Sequence, residues 1–97
     1  MIQPGSMVYT MLSIHYFSAA RAAAGTARED ITETDFTTLG ELLESRAQQH
    51  SGTTDSGMGL ADIFPRCSFL LDGASATPSA SLSGVQRVDV LPPFAGG

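Results

Sequence analysis

The last segment of the sequence is Val85-Gln86-Arg87-Val88-Asp89-Val90-Leu91-Pro92-Pro93-Phe94-Ala95-Gly96-Gly97, a predicted β-strand followed by a tail. Valines alternate with Asp89 in its first half, which is the spacing of a strand with one buried face. Proline has no N–H and fixes φ at about −65°, so Pro92 and Pro93 cannot continue the ladder of a sheet. The sequence therefore predicts that the strand ends near Leu91 and that a stiff, extended segment leaves the sheet there.

The residues after the prolines form a tail of decreasing side-chain size. Ala95, Gly96 and Gly97 could pass through a channel too narrow for other sequences, and Gly97 offers a carboxylate with no Cβ beside it. Fully extended, the four residues from Phe94 reach roughly 13–14 Å. A frayed terminus also explains small residues. We favour a tail presented to another protein, because a terminal Gly-Gly with Pro-Pro shortly before it is rare by composition.

Composition restricts the classes of function. Ninety-seven residues suffice for one small domain with a single hydrophobic core. Ten acidic residues face five arginines, which gives a formal net charge of −5, and the sequence contains no lysine. This balance argues against nucleic acid as a partner and mildly favours a basic protein surface. The missing lysine also means that no side-chain amine of this chain can receive an acyl group.

Cysteine usage and hydropathy indicate the compartment. Cys67 is the only cysteine and cannot form an internal disulfide, which fits a reducing environment. Residues 1–10 lack the basic and apolar regions of a signal peptide, and no apolar run approaches the ~18 residues needed to span a bilayer. We therefore expect a soluble, cytoplasmic protein with no membrane partner.

Two segments near the amino terminus predict a β-hairpin. Residues 8–17 alternate as in a strand, and residues 28–32 alternate again around Ile31. The small residues 19–25 between them end in the turn signal Gly25-Thr26, which predicts a long hairpin loop. The alternative is a short helix over residues 18–24, which has under two turns and is marginal unless it is packed.

One main helix is predicted after the hairpin. Thr38-Leu39-Gly40-Glu41 matches the capping box, in which the Thr hydroxyl and the Glu carboxylate satisfy free N–H groups at a helix start. Leucines at helical spacing carry this helix to about His50. Residues 51–59 have the composition of a flexible loop, and residues 60–64 predict a short helical turn before Pro65.

The remaining segments complete an α+β domain. Residues 67–71 predict a strand that Asp72-Gly73 turns back, and residues 74–83 predict at most a short edge strand because they contain Pro78. Residues 85–91 predict the last strand. The economical arrangement is a mixed sheet crossed by one main helix, with the last strand central and parallel to the first, a β-grasp. Periodicity alone leaves that topology open.

Three motifs resemble one family. They are Tyr16-Phe17 followed by Ala19-Ala20-Arg21-Ala22-Ala23-Ala24-Gly25, then Arg66-Cys67-Ser68-Phe69-Leu70-Leu71-Asp72-Gly73, then Val88-Asp89-Val90-Leu91-Pro92-Pro93-Phe94-Ala95-Gly96-Gly97. Over residues 12–97 the chain resembles the MoaD family, the small sulfur-carrier subunit of molybdopterin synthase, within the ubiquitin-like β-grasp proteins that include the thiamine carrier ThiS. Two departures stand out: Leu82-Ser83-Gly84-Val85 keeps only the glycine of the family's turn before the last strand, and Asp72 stands where many members have Asn.

The expected organisation is an optional or disordered lead-in at 1–10, a β-grasp domain at 11–91 and a flexible Gly-Gly tail at 92–97.

The resemblance implies a carrier rather than an enzyme. A MoeB-like activating enzyme would use ATP and magnesium to adenylate the carboxylate of Gly97, and sulfur would displace AMP to leave a C-terminal thiocarboxylate. A MoaE-like large subunit of molybdopterin synthase would take in the tail and pass the sulfur to cyclic pyranopterin monophosphate in molybdenum cofactor biosynthesis. Catalytic residues are expected in that subunit, and no cofactor or metal is expected on this chain. The implied tail and partner-binding residues are Leu91, Pro92, Pro93, Phe94, Ala95 and Gly96.

Three other functions stay open. The first is sulfur carriage for thiamine or cysteine synthesis, and the second is a ubiquitin-like modifier joined through Gly97 to lysines of target proteins. The third is a β-grasp binding module whose tail is incidental. Loss of Gly96 and Gly97 should leave every interaction unchanged in that last case and should abolish transfer in the others.

The remaining reactive side chains have plainer expected roles. Cys67 is expected to be a buried structural thiol, since free cysteines are among the most buried residues. His15 and His50 lack the spacing of a metal site, and His50 is expected at the helix end. Arg21 and Arg87 are expected to be exposed and solvated.

Overall fold

The sheet has the expected mixed topology. Over the described residues, 12–31, 36–54 and 57–93, the computed structural model contains five strands. They are β1 Leu12–Tyr16, β2 Arg28–Ile31, β3 Ser68–Leu71, β4 Ala74–Ala76 and β5 Arg87–Leu91. The order across the sheet is β2-β1-β5-β3-β4; β1 and β5 are parallel, and every other neighbouring pair is antiparallel. The prediction that the last strand lies centrally beside the first is confirmed.

Alternation decides which face of the sheet is buried. In β1 the even-numbered residues are buried, and Ser13 and His15 are only partly buried. Val88 and Val90 of β5 are fully buried on the same face, because the parallel register pairs Ile14 with Val88. The first strand, expected over residues 8–17, is observed from residue 12 to residue 16. Residues 8–11 lie outside the described part of the chain.

Three helices share one core with this sheet in the described ranges: the expected main helix and two short ones. They are α1 Ser18–Ala24, α2 Leu39–Gln49 and α3 Leu60–Ile63, and a 3₁₀ turn at Phe64–Arg66 follows α3. The predicted main helix is α2, and the predicted helical turn before Pro65 is α3. The hairpin loop expected at residues 19–25 was wrong, because these residues lie in α1 and its cap. Where the chain is described, none of its helices has the length and apolar character needed to cross a membrane.

Burial of its alanines explains α1. Ala20 and Ala23 are fully buried, so packing stabilises a seven-residue helix that would be marginal in isolation. Gly25 ends the helix with a φ of 77°, in the left-handed region, and its N–H donates to the carbonyl oxygen of Arg21 over 2.9 Å. The connection between the first two strands is therefore helical.

The sequence-predicted capping box begins α2. The N–H of Glu41 donates to Oγ1 of Thr38 over 3.3 Å, and the N–H of Thr38 donates to Oε1 of Glu41 over 3.3 Å. At the other end, the N–H of His50 donates to the carbonyl oxygen of Arg46 over 3.0 Å. Both predicted ends of this helix are confirmed within one residue.

The hydrophobic core lies between the helices and the inner face of the sheet. Its buried members are Leu12, Ile14, Tyr16, Ala20, Ala23, Ala24, Ile31, Leu39, Leu42, Leu43, Leu60, Ile63, Phe64, Phe69, Val88 and Val90. Every one of the three helices and all but one of the strands contribute to it, since no residue of β4 belongs to this set. That exception fits the prediction of a short edge strand.

The Asp72-Gly73 turn fixes the start of β5. Both residues have positive φ, 50° and 87°, which joins β3 to β4 by a tight hairpin turn. The carboxylate of Asp72 accepts hydrogen bonds from the N–H of Gln86 at 3.0 Å and of Arg87 at 2.9 Å. One side chain thus connects the hairpin to the strand that leads into the tail.

The loop after α2 approaches α1 closely. A Cβ on Gly52 would lie 2.7 Å from the carbonyl oxygen of Ala23, so only glycine fits there without a shift. Further along, the N–H of Thr54 donates to the carbonyl oxygen of Met58 over 2.9 Å. Residues 55–56 lie outside the described part, and the flexibility expected of 51–59 stays a prediction. The same holds for the domain boundaries and the flexible tail, since residues 1–11 and 94–97 are not described.

Candidate functional site

The tail begins at the centre of the sheet. Leu91, the last residue of β5, lies opposite Ser68 of β3. On the other side, the N–H of Phe17 donates to the carbonyl oxygen of Val90 over 3.2 Å. Because proline donates no backbone hydrogen bond, the ladder stops at Pro92. The chain is therefore held on both sides up to the residue before the tail.

A small apolar cavity lies beside the two prolines. Its volume is about 30 Å³, and it is lined by Ala19, Met58, Ile63, Arg66, Pro92 and Pro93. These six residues are termed the tail seat. Four of them come from α1, the loop before α3, α3 itself and the 3₁₀ turn, and the other two are the prolines that follow β5. The first helix and the third therefore lie beside Pro92 and Pro93.

The sheet face opposite the core carries an apolar patch beside the tail. Phe17 is 38% exposed, the largest exposure of a bulky hydrophobic side chain in the described part of the sequence. Its extended backbone continues the alternation of β1 and places it on this outer face. Leu70 and Leu91, both half-buried, share the face, because the register pairs Leu70 with Asp89 and Leu91 with Ser68. Phe17, Leu70 and Leu91 are termed the open-face patch.

Sequence reasoning predicted partner contact for Leu91 and did not single out Phe17 or Leu70. The signal was strand alternation, since Phe17 follows the buried Tyr16 and Leu70 follows the buried Phe69. Assigning both residues to one patch required the β3–β5 register, which the sequence does not reveal.

Charged groups flank the patch on the same face. Nε of Arg87 donates to Oδ1 of Asp89 over 2.8 Å, so Arg87 is exposed but paired rather than simply solvated. His15 lies opposite Asp89 in the parallel register. Burial, together with the positive charge of Arg87, lowers the pKa of His15, which keeps the ring neutral at pH 7.

Cys67 lies one position before β3, at the level of the tail. The register pairs Ser68 with Leu91, which places Cys67 beside Pro92. Its thiol donates to the carbonyl oxygen of Ile63 over 3.3 Å, and burial raises its pKa to about 11. The residue is half-buried rather than fully buried, and the structural role expected from the sequence stays a prediction.

A second polar cluster joins β1, β2 and the end of α2. Glu29 accepts a hydrogen bond from the hydroxyl of Tyr16 at 2.9 Å and from Nη1 of Arg46 at 2.6 Å, and its Oε1 lies 3.0 Å from Nε2 of His50. Burial raises the pKa of Tyr16, and the negative charge of Glu29 adds to that rise. Burial alone would raise the pKa of Glu29 too, but the hydrogen bonds from His50 and Tyr16 and the charge of Arg46 hold it below its ordinary value. His50 is thus both the cap residue of α2 and a partner of this carboxylate.

The described residues bring together part of the implied site. Leu91, Pro92 and Pro93 lie with the open-face patch and the tail seat, and Arg21 is exposed on α1. The roles expected of Phe94, Ala95, Gly96 and Gly97 stay predictions, because these residues are outside the described ranges. Within those ranges, no three His, Cys, Asp or Glu residues are grouped so that they could hold a metal ion.

Comparisons with known proteins agree on the architecture. The ThiS family profile matches residues 14–97. The crystal structure of SAMP1 from Haloferax volcanii gives a TM-score of 0.65 at 17% identity, over 90% of this chain and 99% of that one. A Pyrococcus furiosus structure named as molybdopterin converting factor, subunit 1, gives 0.60 at 16% identity, over 88% and 99%. The solution structure of the Haloferax volcanii HVO 2177 protein gives 0.60 at 24% identity, over 91% and 87%. No curated protein sequence matches the chain. At these identities the structural likeness concerns the fold alone.

Proposed function

Because the chain belongs to the ThiS family, we propose that it is a sulfur carrier in molybdenum cofactor biosynthesis that works through the carboxylate of Gly97. The observation that carries the proposal is the position of β5, a central strand that ends at Leu91 directly before Pro92. A carrier must hand its terminus to another protein from a fixed base. The sheet supplies that base, and the last three residues, Ala95, Gly96 and Gly97, carry at most a methyl group as side chain.

The chemistry begins at the Gly97 carboxylate. A carboxylate oxygen attacks the α-phosphorus of ATP on a MoeB-like activating enzyme, pyrophosphate leaves, and an acyl-adenylate forms. A sulfur nucleophile then attacks the acyl carbon, and the carbon–oxygen bond to AMP breaks. The product is a thiocarboxylate. ATP and magnesium belong to the activating enzyme, and this chain supplies the acyl group and its presentation.

Transfer requires the tail to enter a second active site. Pro92 and Pro93 restrict the backbone before entry, so less entropy is lost when the tail is ordered. Phe94 fills a pocket at the mouth of the channel, and Gly96 allows close approach of the backbone. Within a MoaE-like large subunit, the sulfur bonds to cyclic pyranopterin monophosphate, water cleaves the bond between the acyl carbon and sulfur, and Gly97 returns to a carboxylate.

The open-face patch is the surface on which the partners dock. Phe17, Leu70 and Leu91 are bulky and apolar, and they lie beside the start of the tail, so one contact surface holds the domain while the tail reaches the active site. The net charge of −5 favours partners with basic surroundings. Because both partners need this surface, the activating enzyme and the large subunit bind in turn.

A second candidate function is a ubiquitin-like modifier. It is favoured by the likeness to the crystal structure of Haloferax volcanii small archaeal modifier protein 1, with a TM-score of 0.64 at 16% identity. Activation at Gly97 is the same, but a lysine amine of a target then attacks the acyl carbon. Sulfur carriage for thiamine or cysteine synthesis also shares the activation step and differs in the acceptor.

Reconstitution separates these candidates. Thiocarboxylated protein should convert cyclic pyranopterin monophosphate to a dithiolene product when mixed with the large subunit, and the chain lacking Gly97 should not. A native lysate probed for this chain tests the modifier. Target-linked conjugates together with failed conversion would replace the carrier proposal by the modifier.

A further inference from the structure

A second apolar surface lies on the helical side of the domain, across the sheet from the open-face patch. It is a groove of about 420 Å³, termed the helical groove, between residues 40–47 of α2 on one side and Ala61, Pro65 and Pro78 on the other. Leu43 and Phe64, both buried, line its floor. None of its described lining residues belongs to the tail seat, so the groove is separate from the site already described.

One stripe of α2 faces the helical groove. Gly40, Leu43, Glu44 and Ala47 recur at the i, i+3, i+4, i+7 spacing of a single helix face, and all of them line the groove. The buried leucines of α2 already fill the stripe that packs on the core, so this second stripe stays partly open. Because Gly40, Ala47 and, on the opposite wall, Ala61 are small, a bulky side chain of a partner fits between the walls.

The walls of the groove are fixed before any partner binds. The N–H of Gly40 donates to the carbonyl oxygen of Pro78 over 2.8 Å, and a Cβ on Gly40 would lie only 3.2 Å from that oxygen. Pro65 lies near the start of the 3₁₀ turn, where its ring restricts φ. A preformed groove loses little conformational entropy when it is occupied, which favours binding.

The charges around the groove favour a basic partner. Glu44 lines the groove, is exposed, and has no ion-pair partner in the described part of the chain. The two arginines on the bounding elements are directed elsewhere, since Arg46 pairs with Glu29 at 2.6 Å and Arg66 lines the tail seat. A cation beside the apolar contact would therefore meet an unpaired carboxylate. Two copies of this chain that met groove to groove would instead bring two Glu44 carboxylates together, which is unfavourable.

We propose that the helical groove docks an amphipathic helix of a partner protein, one that presents a bulky apolar side chain beside a lysine or arginine. An extended segment would need backbone hydrogen bonds from the walls, but the N–H groups of Leu39 and Gly40 are bonded to Ala80 and Pro78. A small molecule fits less well, because sites for small molecules use several converging polar groups and this lining offers one polar side chain, that of Glu44.

The groove adds a second contact surface to the domain. It lies on the helical side, whereas Phe17, Leu70 and Leu91 lie on the outer face of the sheet. A partner in the groove can therefore stay bound while the open-face patch is occupied by another protein. The inference does not depend on any chemistry at Gly97.

The test selects binders of the full chain from a phage-displayed library of helical peptides in which one face is randomised. We expect the enriched peptides to carry leucine or phenylalanine beside lysine or arginine at helical spacing. An enriched peptide is then synthesised with a fluorescent label. Fluorescence anisotropy measures its affinity for wild type and for variants whose fold is checked by circular dichroism.

Two variants change the groove, and two controls leave it intact. Ala61→Gln fills part of the groove without changing its charge and should weaken binding about tenfold. Glu44→Lys replaces attraction by repulsion and should weaken binding about fivefold or more. Asp30→Lys makes the same change in net charge on β2, opposite Ser13 on the outer face, and should leave the affinity within about twofold. Phe17→Ala, in the open-face patch, should also leave it unchanged.

Several outcomes would overturn the proposal. The selection may enrich no class of peptide, or the enriched peptides may lack a basic residue. Binding that is lost in Phe17→Ala but kept in Ala61→Gln would place the peptide on the open-face patch. Equal weakening by Glu44→Lys and Asp30→Lys would mean that net charge and not the groove attracts the peptide. Self-association of wild type in sedimentation equilibrium, abolished by Ala61→Gln, would assign the groove to a second copy of this chain.

Discussion

Nη1 of Arg46 on α2 lies 2.6 Å from Oε2 of Glu29 on β2, and this ion pair ties the main helix to the edge of the sheet. The two side chains are 13% and 21% exposed, so the pair is largely shielded from water. Tyr16 and His50 meet the other carboxylate oxygen. Glu29 therefore joins β1, β2 and α2 through one carboxylate group.

Replacing Glu29 by Gln should lower the free energy of unfolding by about 1–3 kcal/mol, because Arg46 would keep a largely buried charge without its counter-charge. The effect should depend on pH. Since the pKa of Glu29 is lowered in the folded protein, its contribution is complete above the ordinary carboxylate pKa and is lost as pH falls through the lowered value. Urea unfolding of both proteins should show the two stabilities converging in acid.

Glu44→Gln is the matched control for that experiment, because Glu44 is exposed on the same helix. It should change the unfolding free energy little at any pH. A constant gap between wild type and the Glu29 variant across the acid range would contradict the assigned role.

Asp72→Ala should destabilise the domain by about 1–3 kcal/mol, because two backbone N–H groups at the start of β5 lose a charged acceptor. Alanine also fits poorly at a φ of 50°. Asp72→Asn keeps one acceptor oxygen and tolerates that backbone conformation, so it should cost clearly less. Urea unfolding of the two variants decides the matter, and equal losses would exclude the hydrogen bonds as the cause.

Gly52→Ala should cost about 1–3 kcal/mol, because the new methyl group would meet the carbonyl oxygen of Ala23 at 2.7 Å and force α1 and the loop apart. The control is Gly59→Ala, whose Cβ would lie 3.7 Å from its nearest neighbour, the carbonyl oxygen of Gly52. That change should cost under about 1 kcal/mol. Thermal unfolding measures the stability lost in each variant. If Gly59→Ala costs as much as Gly52→Ala, the close approach of Gly52 to Ala23 is not the cause.

Phe17→Ala should weaken binding of the partner large subunit by about 1–2 kcal/mol, since bulky apolar side chains near an interface centre contribute most to affinity. Its effect on unfolding should be smaller than that of truncating a fully buried core residue, because Phe17 is 38% exposed. Calorimetric titration against the large subunit measures this, with Arg28→Ala as the control on the same face at the edge strand β2. Equal affinities for wild type and Phe17→Ala would remove the open-face patch from the interface.

Whether a feature could be predicted from the sequence depends on how far apart in the sequence its contacting residues lie. The capping box of Thr38 and Glu41 involves neighbours in sequence, so it could be predicted, as could the end of β5 at Leu91. The helical state of residues 18–24 depends on burial of Ala20 and Ala23 against distant parts of the chain, and local propensity does not contain that information.

The residues of the candidate site also differ in whether a local sequence signal could identify them. Leu91 and the prolines could be identified because the break in the strand pattern is local. Phe17 and Leu70 became a patch only through the β1–β5 and β5–β3 pairings. The pair of Glu29 and His50, 21 residues apart, has no sequence signature at all.

The measurement that tests the central claim most directly is the mass of the intact chain after incubation with a MoeB-like activating enzyme, ATP, magnesium and a sulfur donor. The proposed function predicts a gain equal to the replacement of one oxygen by sulfur, located at Gly97 by tandem mass spectrometry and dependent on ATP. The chain lacking Gly97 should show no such gain while keeping its unfolding free energy. An unchanged mass, with an enzyme preparation that thiocarboxylates another ThiS-family carrier under the same conditions, would contradict the proposal.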